Sequence, residues 1–232
     1  MKVLLYSGGM DSWLIDKIWH PDKKIFFDTG IEYNKEELKR LPEDVEIIKL
    51  DLSKYELSEY SHTVPLRNLL FISIASYYGD EICLGSVKGD CHYDNSLEFL
   101  NNTEKLLNSL YEELDALGQG HKELKIVAPY KEWSKADLLR EYVANGGTLE
   151  EAYNATFSCY EPIDGHECLH CKPCFKKTIA FINAGMEIKN KEAYIELLKE
   201  NAKKFHLEDD EEYIEAMNKL GVQVWIRKNM LN

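Results

Sequence analysis

Two stretches carry residues whose types and spacing can do chemistry. Near the start, Ser7-Gly-Gly-Met-Asp-Ser12 follows the apolar run Lys2-Val-Leu-Leu-Tyr6 and precedes Trp13-Leu-Ile-Asp-Lys-Ile18, which reads as strand, glycine turn and helix. Gly8 and Gly9 let the backbone turn sharply, so that successive N–H groups and the positive end of the next helix converge on one point, which suits a phosphate. Ser7 and Ser12 add hydroxyl donors. The turn is not a Walker A sequence, because it holds no lysine to reach the terminal phosphates. Further on, Cys159, Cys168, Cys171 and Cys174 are spaced C-x8-C-x2-C-x2-C. Four thiolates brought to one point match a closed tetrahedral Zn2+ site, which stabilises a loop too poor in apolar residues to hold itself together. An iron–sulfur cluster can use the same ligands.

These stretches need elements to position them. Lys24-Ile-Phe-Phe-Asp28, Val45 to Asp51, Asp80-Glu-Ile-Cys-Leu-Gly85 and Leu124-Lys-Ile-Val-Ala-Pro129 read as four more strands, the first of them buried, alternating with helices in the pattern of a doubly wound, mainly parallel α/β sheet. In such a sheet ligands sit at the carboxyl ends of the strands, which gathers Asp28, Thr29 and Gly30 and the loop Ser86-Val-Lys-Gly-Asp-Cys-His-Tyr-Asp-Asn95 beside the glycine turn. That loop brings Lys88, Asp90, Cys91, His92 and Asp94 toward the bound phosphate. Pro65 opens an apolar helix at its first position, and Arg67 and Asn68, the polar exceptions in its first turn, are read as substrate or phosphate contacts. Leu97 to Leu117 is an amphipathic helix read as core. Ser134-Lys-Ala-Asp137 has the form of a weak capping box, and Lys135 at the first helical position suits a bound phosphate. A helix from Phe175 to Ala184 follows the cysteines, and Lys191–Lys204 and Asp209–Leu220 are helical. Val222 to Arg227 is read as a packing or dimer contact.

The chain has 232 residues, of which 44% are hydrophobic, enough for one main domain with an appendage. The boundaries read as 1–158 for a nucleotide-binding α/β domain and 159–232 for the cysteine site and helical tail. A formal charge of −13 argues against a broad contact with nucleic acid, so the substrate is expected to be a small molecule. No apolar run approaches a membrane span, and the start lacks a signal-peptide core, so the expectation is a cytoplasmic protein without membrane contact. Four of the six cysteines cluster, which in a reducing compartment favours a metal over disulfides.

SGGMDS resembles the pyrophosphate loop of the N-type ATP pyrophosphatases, which cleave ATP between its α and β phosphates. With Pro65-Leu-Arg-Asn68, Ser134-Lys-Ala-Asp137 and Thr156-Phe-Ser-Cys159 with its three following cysteines, the chain is similar over about residues 1–184 to the 7-cyano-7-deazaguanine synthase family of queuosine biosynthesis. The resemblance implies an adenine nucleotide alpha hydrolase-like fold. It also implies a homodimer with structural Zn2+ that uses ATP and Mg2+ to adenylate the carboxylate of 7-carboxy-7-deazaguanine and, with ammonia, make the nitrile. Ser7, Gly8, Gly9, Asp11 and Ser12 would then hold the phosphates, and Asp28, Thr29 and Gly30 the adenosine. Arg67, Lys88 and Lys135 would stabilise the departing groups, Asp11, Asp90 and Asp94 would hold or orient Mg2+, and Asn68, Asp90 and Asp94 would meet the substrate. Cys159, Cys168, Cys171 and Cys174 would bind the zinc.

The second-strand turn departs from the family's usual tyrosine-glycine-glutamine, and Val87 and Tyr93-Asp-Asn-Ser96 depart in the fourth-strand loop. One alternative is therefore a synthase-like anti-phage enzyme that transfers the activated acid to another amine, such as one on a protein. Another is a sulfonucleotide reductase-like enzyme, suggested by Asp28-Thr-Gly30 and Glu167-Cys-Leu-His170. Against it, a ligated Cys168 is not free to attack.

Overall fold

The computed structural model describes residues 1–32, 34–57, 63–90, 92–118, 120 and 122–224. Cys91 and the Trp225–Arg227 part of the tail, both named above, lie outside them. The chain forms two compact units, Met1–Trp133 and Ser134–Asn232.

The first unit is built on five strands, β1 (Lys2–Leu5), β2 (Lys23–Asp28), β3 (Val45–Lys49), β4 (Glu81–Leu84) and β5 (Lys125–Val127). All neighbours pair in parallel, in the order β3-β2-β1-β4-β5. The runs of β1, β2 and β4 take this form because inner parallel strands are covered on both faces and need no polar alternation, whereas the edge strands β3 and β5 keep exposed positions. Between them come α1 (Met10–Trp19), α2 (Asn34–Leu38), α3 (Arg67–Ala75) and α4 (Leu97–Ala116). One face packs Val3, Leu5, Ile25, Phe27, Ile82, Leu84 and Ile126 against Ile72 and Ala75 of α3 and Leu100 and Leu107 of α4. Leu4, Phe26 and Cys83 alternate with these and are also buried, as are Leu14 and Ile15 of α1.

Two readings from sequence are corrected here. The helix of Pro65 starts at Arg67, because Leu66 takes a left-handed conformation (φ 62°) as its N-cap and leaves Pro65 outside. The long helix α4 is not simply core. Leu100 and Leu107 are buried, but Leu106, Leu110 and Leu114 are 53%, 50% and 43% exposed and Leu117 is exposed beyond them. Their spacing of three to four residues lines them along one face of the helix.

In the second unit, α5 (Lys135–Ala144) and α6 (Leu149–Ala155) precede the cysteines, and α7 (Lys172–Ala184), α8 (Lys191–Phe205) and α9 (Glu211–Lys219) follow. The last three share a core of Phe175, Ile179 and Ile182 from α7, Leu198 and Ala202 from α8, and Tyr213, Ile214 and Met217 from α9, with Val222 and Val224 packed against it. Helix α7 begins earlier than its apolar pattern, since Cys171 is its N-cap and Pro173 sits in the first turn, where a missing N–H costs nothing. No described helix is long and apolar enough to cross a membrane.

Gly79, in the turn before β4, runs against the start of the chain, and a Cβ there would stand 2.5 Å from both the Met1 carbonyl oxygen and Val3 Cγ2. A backbone carbonyl cannot yield as a side chain would. Gly79→Ala is therefore expected to cost about 1–3 kcal/mol of stability, read from the urea midpoint of the full chain.

Candidate functional site

The strand order reverses direction on either side of β1, so the connections from β1 and β4 leave over opposite faces and open a crevice between their carboxyl ends. Leu5 pairs with Leu84, so the turn beginning at Ser7 and the loop beginning at Ser86 leave the sheet at the same level. In the turn, Gly8 takes φ +75°, a conformation that side chains resist, and Gly9 caps α1 without a side-chain hydrogen bond. The amides at the start of α1 thus have no side-chain cap. The loop is shaped by hydroxyls. Ser12 Oγ donates to the Gly9 carbonyl (3.1 Å) and accepts from the Ser7 N–H (3.3 Å), while Ser7 Oγ accepts from the Gly9 N–H (3.4 Å) and lies 3.2 Å from Ser12 Oγ. Asp11 sits half-buried in the first helical turn, next to this loop.

The β2 turn is tied to the same place. Asp28 Oδ1 accepts from the Gly30 N–H at 3.2 Å. Thr29 is buried, with its N–H donating to Asn34 Oδ1 at 2.9 Å and its hydroxyl donating to the same oxygen. Asn34 in turn donates to Glu37 Oε2 at 2.6 Å. A Cβ on Gly8 would meet Leu41 and the Glu37 carbonyl, so α2 and its following turn lie against the glycine turn. Helix α2 supplies Asn34 and Glu37 to this network. The signal was an asparagine and a glutamate three apart on a helix that follows a glycine turn, too common a pattern to single out.

Arg67, the first residue of α3, lies over the Phe71 ring at 6.0 Å, and Phe71 stacks on Phe27 of β2 at 4.2 Å. Burial pushes the Glu37 carboxyl up to about 7, against the opposing pull of the Asn34 hydrogen bond and the Arg67 charge. Asn68 is buried and spends its amide on the β4 side, donating to the Asp94 carbonyl (3.2 Å) and Asn95 Oδ1 (2.8 Å). Asp90 Oδ2 accepts from the Val87 N–H at 2.9 Å, and Lys88 is exposed. Lys131, which sequence reasoning missed, donates to buried Ser86 Oγ (2.9 Å) and to the Asp90 carbonyl (2.6 Å), and so fastens the β4 loop from the β5 side.

In the second unit, Lys135 opens α5 behind a reciprocal capping box, in which the Asp137 N–H donates to Ser134 Oγ (3.1 Å) and the Ser134 N–H to Asp137 Oδ2 (2.9 Å). The four cysteines converge, with all ligand atoms within 4.8 Å of one another. Tetrahedral zinc with Zn–S bonds of ~2.3 Å sets sulfurs about 3.8 Å apart, and Cys171 Sγ and Cys159 Sγ already stand at 4.0 Å. The donor set therefore fits a metal such as zinc. Cys159, Cys171 and Cys174 are buried, Cys168 is half-buried, and Cys159 Sγ accepts from the Cys168 N–H at 3.2 Å. A hydrogen bond from Cys174 holds the Cys171 thiol down at about 5, and the same contact pushes Cys174 up. Leu169 takes a left-handed conformation between Cys168 and Cys171, and buried Asn201 of α8 donates to its carbonyl at 2.9 Å. His166 and His170 are exposed.

Sheet, turn and thiol cluster together define a doubly wound α/β protein with a four-cysteine site able to hold a metal. The chain belongs to the family described as queuosine biosynthesis protein QueC, whose sequence pattern matches residues 39–185. It is 25% identical over 220 residues to the 7-cyano-7-deazaguanine synthase of Methanosphaera stadtmanae, covering 79% of this chain and 94% of that protein. To the synthase of Persephonella marina it is 26% identical over 220 residues, covering 80% of this chain and 93% of the other. The synthase of Syntrophus aciditrophicus is 31% identical over 132 residues, or 53% of this chain and 54% of that one.

The raised Glu37 carboxyl makes stability depend on pH. A carboxyl whose folded pKa lies above its unfolded value binds its proton more tightly when folded, so its contribution is present in acid and lost as pH rises toward about 7. Relative to Glu37→Gln, the wild-type chain is expected to lose about 2 kcal/mol between pH 5 and 7.5, measured by urea unfolding of both at each pH.

Proposed function

We propose that this enzyme uses ATP to adenylate the carboxylate of 7-carboxy-7-deazaguanine and, with ammonia, converts it to 7-cyano-7-deazaguanine, which makes it an AMP-forming ligase. Membership of the QueC family and the shared name of the relatives support the substrate. The observation that carries the reaction type is the turn after β1, where serine hydroxyls shape a glycine loop at a helix start without a side-chain cap, at the switch point of the sheet.

A carboxylate is a poor electrophile, and the first step removes that defect. Its oxygen attacks the α-phosphorus, the bond to the β-phosphate breaks, and pyrophosphate leaves. Ammonia then attacks the acyl carbon, AMP departs with the bonding pair, a proton passes to solvent, and the amide remains. In a second activation the amide oxygen attacks an α-phosphorus and releases pyrophosphate; the C–O bond then breaks, AMP departs with that oxygen, the two amide protons pass to solvent, and the nitrile remains. In this reading Ser7, Gly8, Gly9, Asp11 and Ser12 seat the phosphates, and Asp28, Thr29 and Gly30 the adenosine. Arg67, Lys88 and Lys135 offset the charge that builds on the leaving groups. Asn68, Asp90 and Asp94 orient the acid. Mg2+, which Asp11, Asp90 and Asp94 would hold or orient, would supply positive charge at the pyrophosphate, and Zn2+ on the four cysteines would be structural.

The deciding experiment is ATP–pyrophosphate exchange with the purified chain. Exchange is expected only when 7-carboxy-7-deazaguanine is present, and Ser12→Ala is expected to lower it about 100-fold. Exchange that needs no acid, or that survives the substitution, overturns the assignment. Mass spectrometry of the product then separates the nitrile, made with ammonia, from a conjugate with a protein amine, which would favour the anti-phage alternative.

The proposed homodimer draws support from the exposed leucine row of α4. Leu110→Glu with Leu114→Glu is expected to yield monomers by light scattering and leave the far-ultraviolet dichroism unchanged.

A further inference from the structure

Lys177 of α7 is the most deeply buried cation near the cysteine site, with only 3% of its side chain exposed. An ammonium in that position needs acceptors on every side, since an unpaired buried charge costs several kcal/mol. It has three. Nζ donates to the carbonyls of Tyr153 (3.3 Å) and Thr156 (2.5 Å), where α6 ends, and to Glu167 Oε2 (2.9 Å), and it lies over the Tyr153 ring at 4.8 Å. The other oxygen of Glu167 accepts from the Ser158 N–H at 2.6 Å.

The neighbours of those acceptors matter most. Ser158 precedes Cys159, and Glu167 precedes Cys168. The exit of α6 therefore leads directly into one ligand, and the hairpin turn closed by the mutual Ile163–His166 backbone hydrogen bonds leads into the next. Cys171 and Cys174 are placed by α7 itself, the helix that carries Lys177. One ammonium thus spans the segments that deliver all four thiols. Its charge also lies close enough to Cys159 and Cys174 to interact with them, and four thiolates on a dication leave a net negative site.

We propose that Lys177, acting through Glu167, is a positioning residue for the metal site: it joins the end of α6 and the Cys168 segment to α7, so that the C-x8-C arm meets the C-x2-C arm at tetrahedral spacing. The inference rests on the zinc reading above. Neither group is among those assigned above to seat ATP.

The test uses the full chain as wild type, Lys177→Met, Glu167→Gln and the double variant, with metal content and transfer of zinc to a chromogenic chelator as readouts. Wild type is expected to hold one zinc. Lys177→Met should bind it roughly tenfold or more weakly, with unchanged far-ultraviolet dichroism. The double variant should be no weaker than the weaker single one, because the two residues act as a pair; side chains that merely add bulk stability would sum their effects. Lys177→Met that keeps zinc within twofold of wild type, or effects that add in full, overturns the role of Lys177. If Lys177→Met does not fold, Glu167→Gln decides alone, and zinc retention equal to wild type overturns the proposal. A wild-type chain that holds no zinc overturns the metal reading itself, which is a separate result.

Discussion

The first unit depends on a backbone constraint, the pairing of β1 with parallel neighbours on both sides. Parallel strands cannot be joined by a tight turn, so each connection must cross a face of the sheet. With β2 and β3 on one side of β1 and β4 and β5 on the other, the crossovers part company at β1 and β4. Such a parting leaves a gap at their carboxyl ends. The glycine turn leaves the sheet into that gap, and the helix behind it starts with amides that no side chain caps. A cradle of peptide donors costs no side-chain entropy to hold in place, because β1 and α1 already hold both of its ends.

Around that gap the structure invests in polar ties more than in apolar contact. Thr29, Asn34 and Glu37 form one chain of hydrogen bonds, and Asn68 and Lys131 fasten the β4 loop from two directions. Each uses a buried or half-buried group that would be costly without its partner, so the ties select one loop conformation over its alternatives. The raised pKa of Glu37 shows the cost of that choice. A carboxyl sits where burial disfavours its charge even with a guanidinium and an amide nearby.

The second unit solves a different problem. Between α6 and α7 the chain has little to bury, and its fixed points are thiols and carbonyls. Asn201 holds the left-handed Leu169, and Lys177 and Glu167 hold the approach to the first two cysteines. Helices α7, α8 and α9 supply the apolar support, and the cysteine loop borrows its rigidity from them through these polar contacts.

Taken by itself, the sequence determined whatever is written locally. Five runs became five parallel strands, and β1, β2 and β4 left a nearly continuous apolar record because they are buried on both faces. The strand–turn–helix form around SGGMDS and the convergence of the cysteines were legible for a like reason, since each is written in residues close together in the chain. Pro65 misled because a left-handed Leu66 interrupts the path into α3, and backbone sign is not spelled by a leucine. The α4 leucines were read as core because periodicity reports which residues share a face and not what lies opposite it. Asn34, Glu37, Lys131 and Lys177 could not be read at all. Lys131 meets Ser86 across 45 positions and Lys177 meets Thr156 across 21, so only the folded chain decides that a lysine with a solvated side chain on paper becomes a half-buried or buried donor. Local geometry is encoded by neighbours in the chain, whereas the environment of a charge is set by neighbours in space, and the tertiary structure alone supplies those.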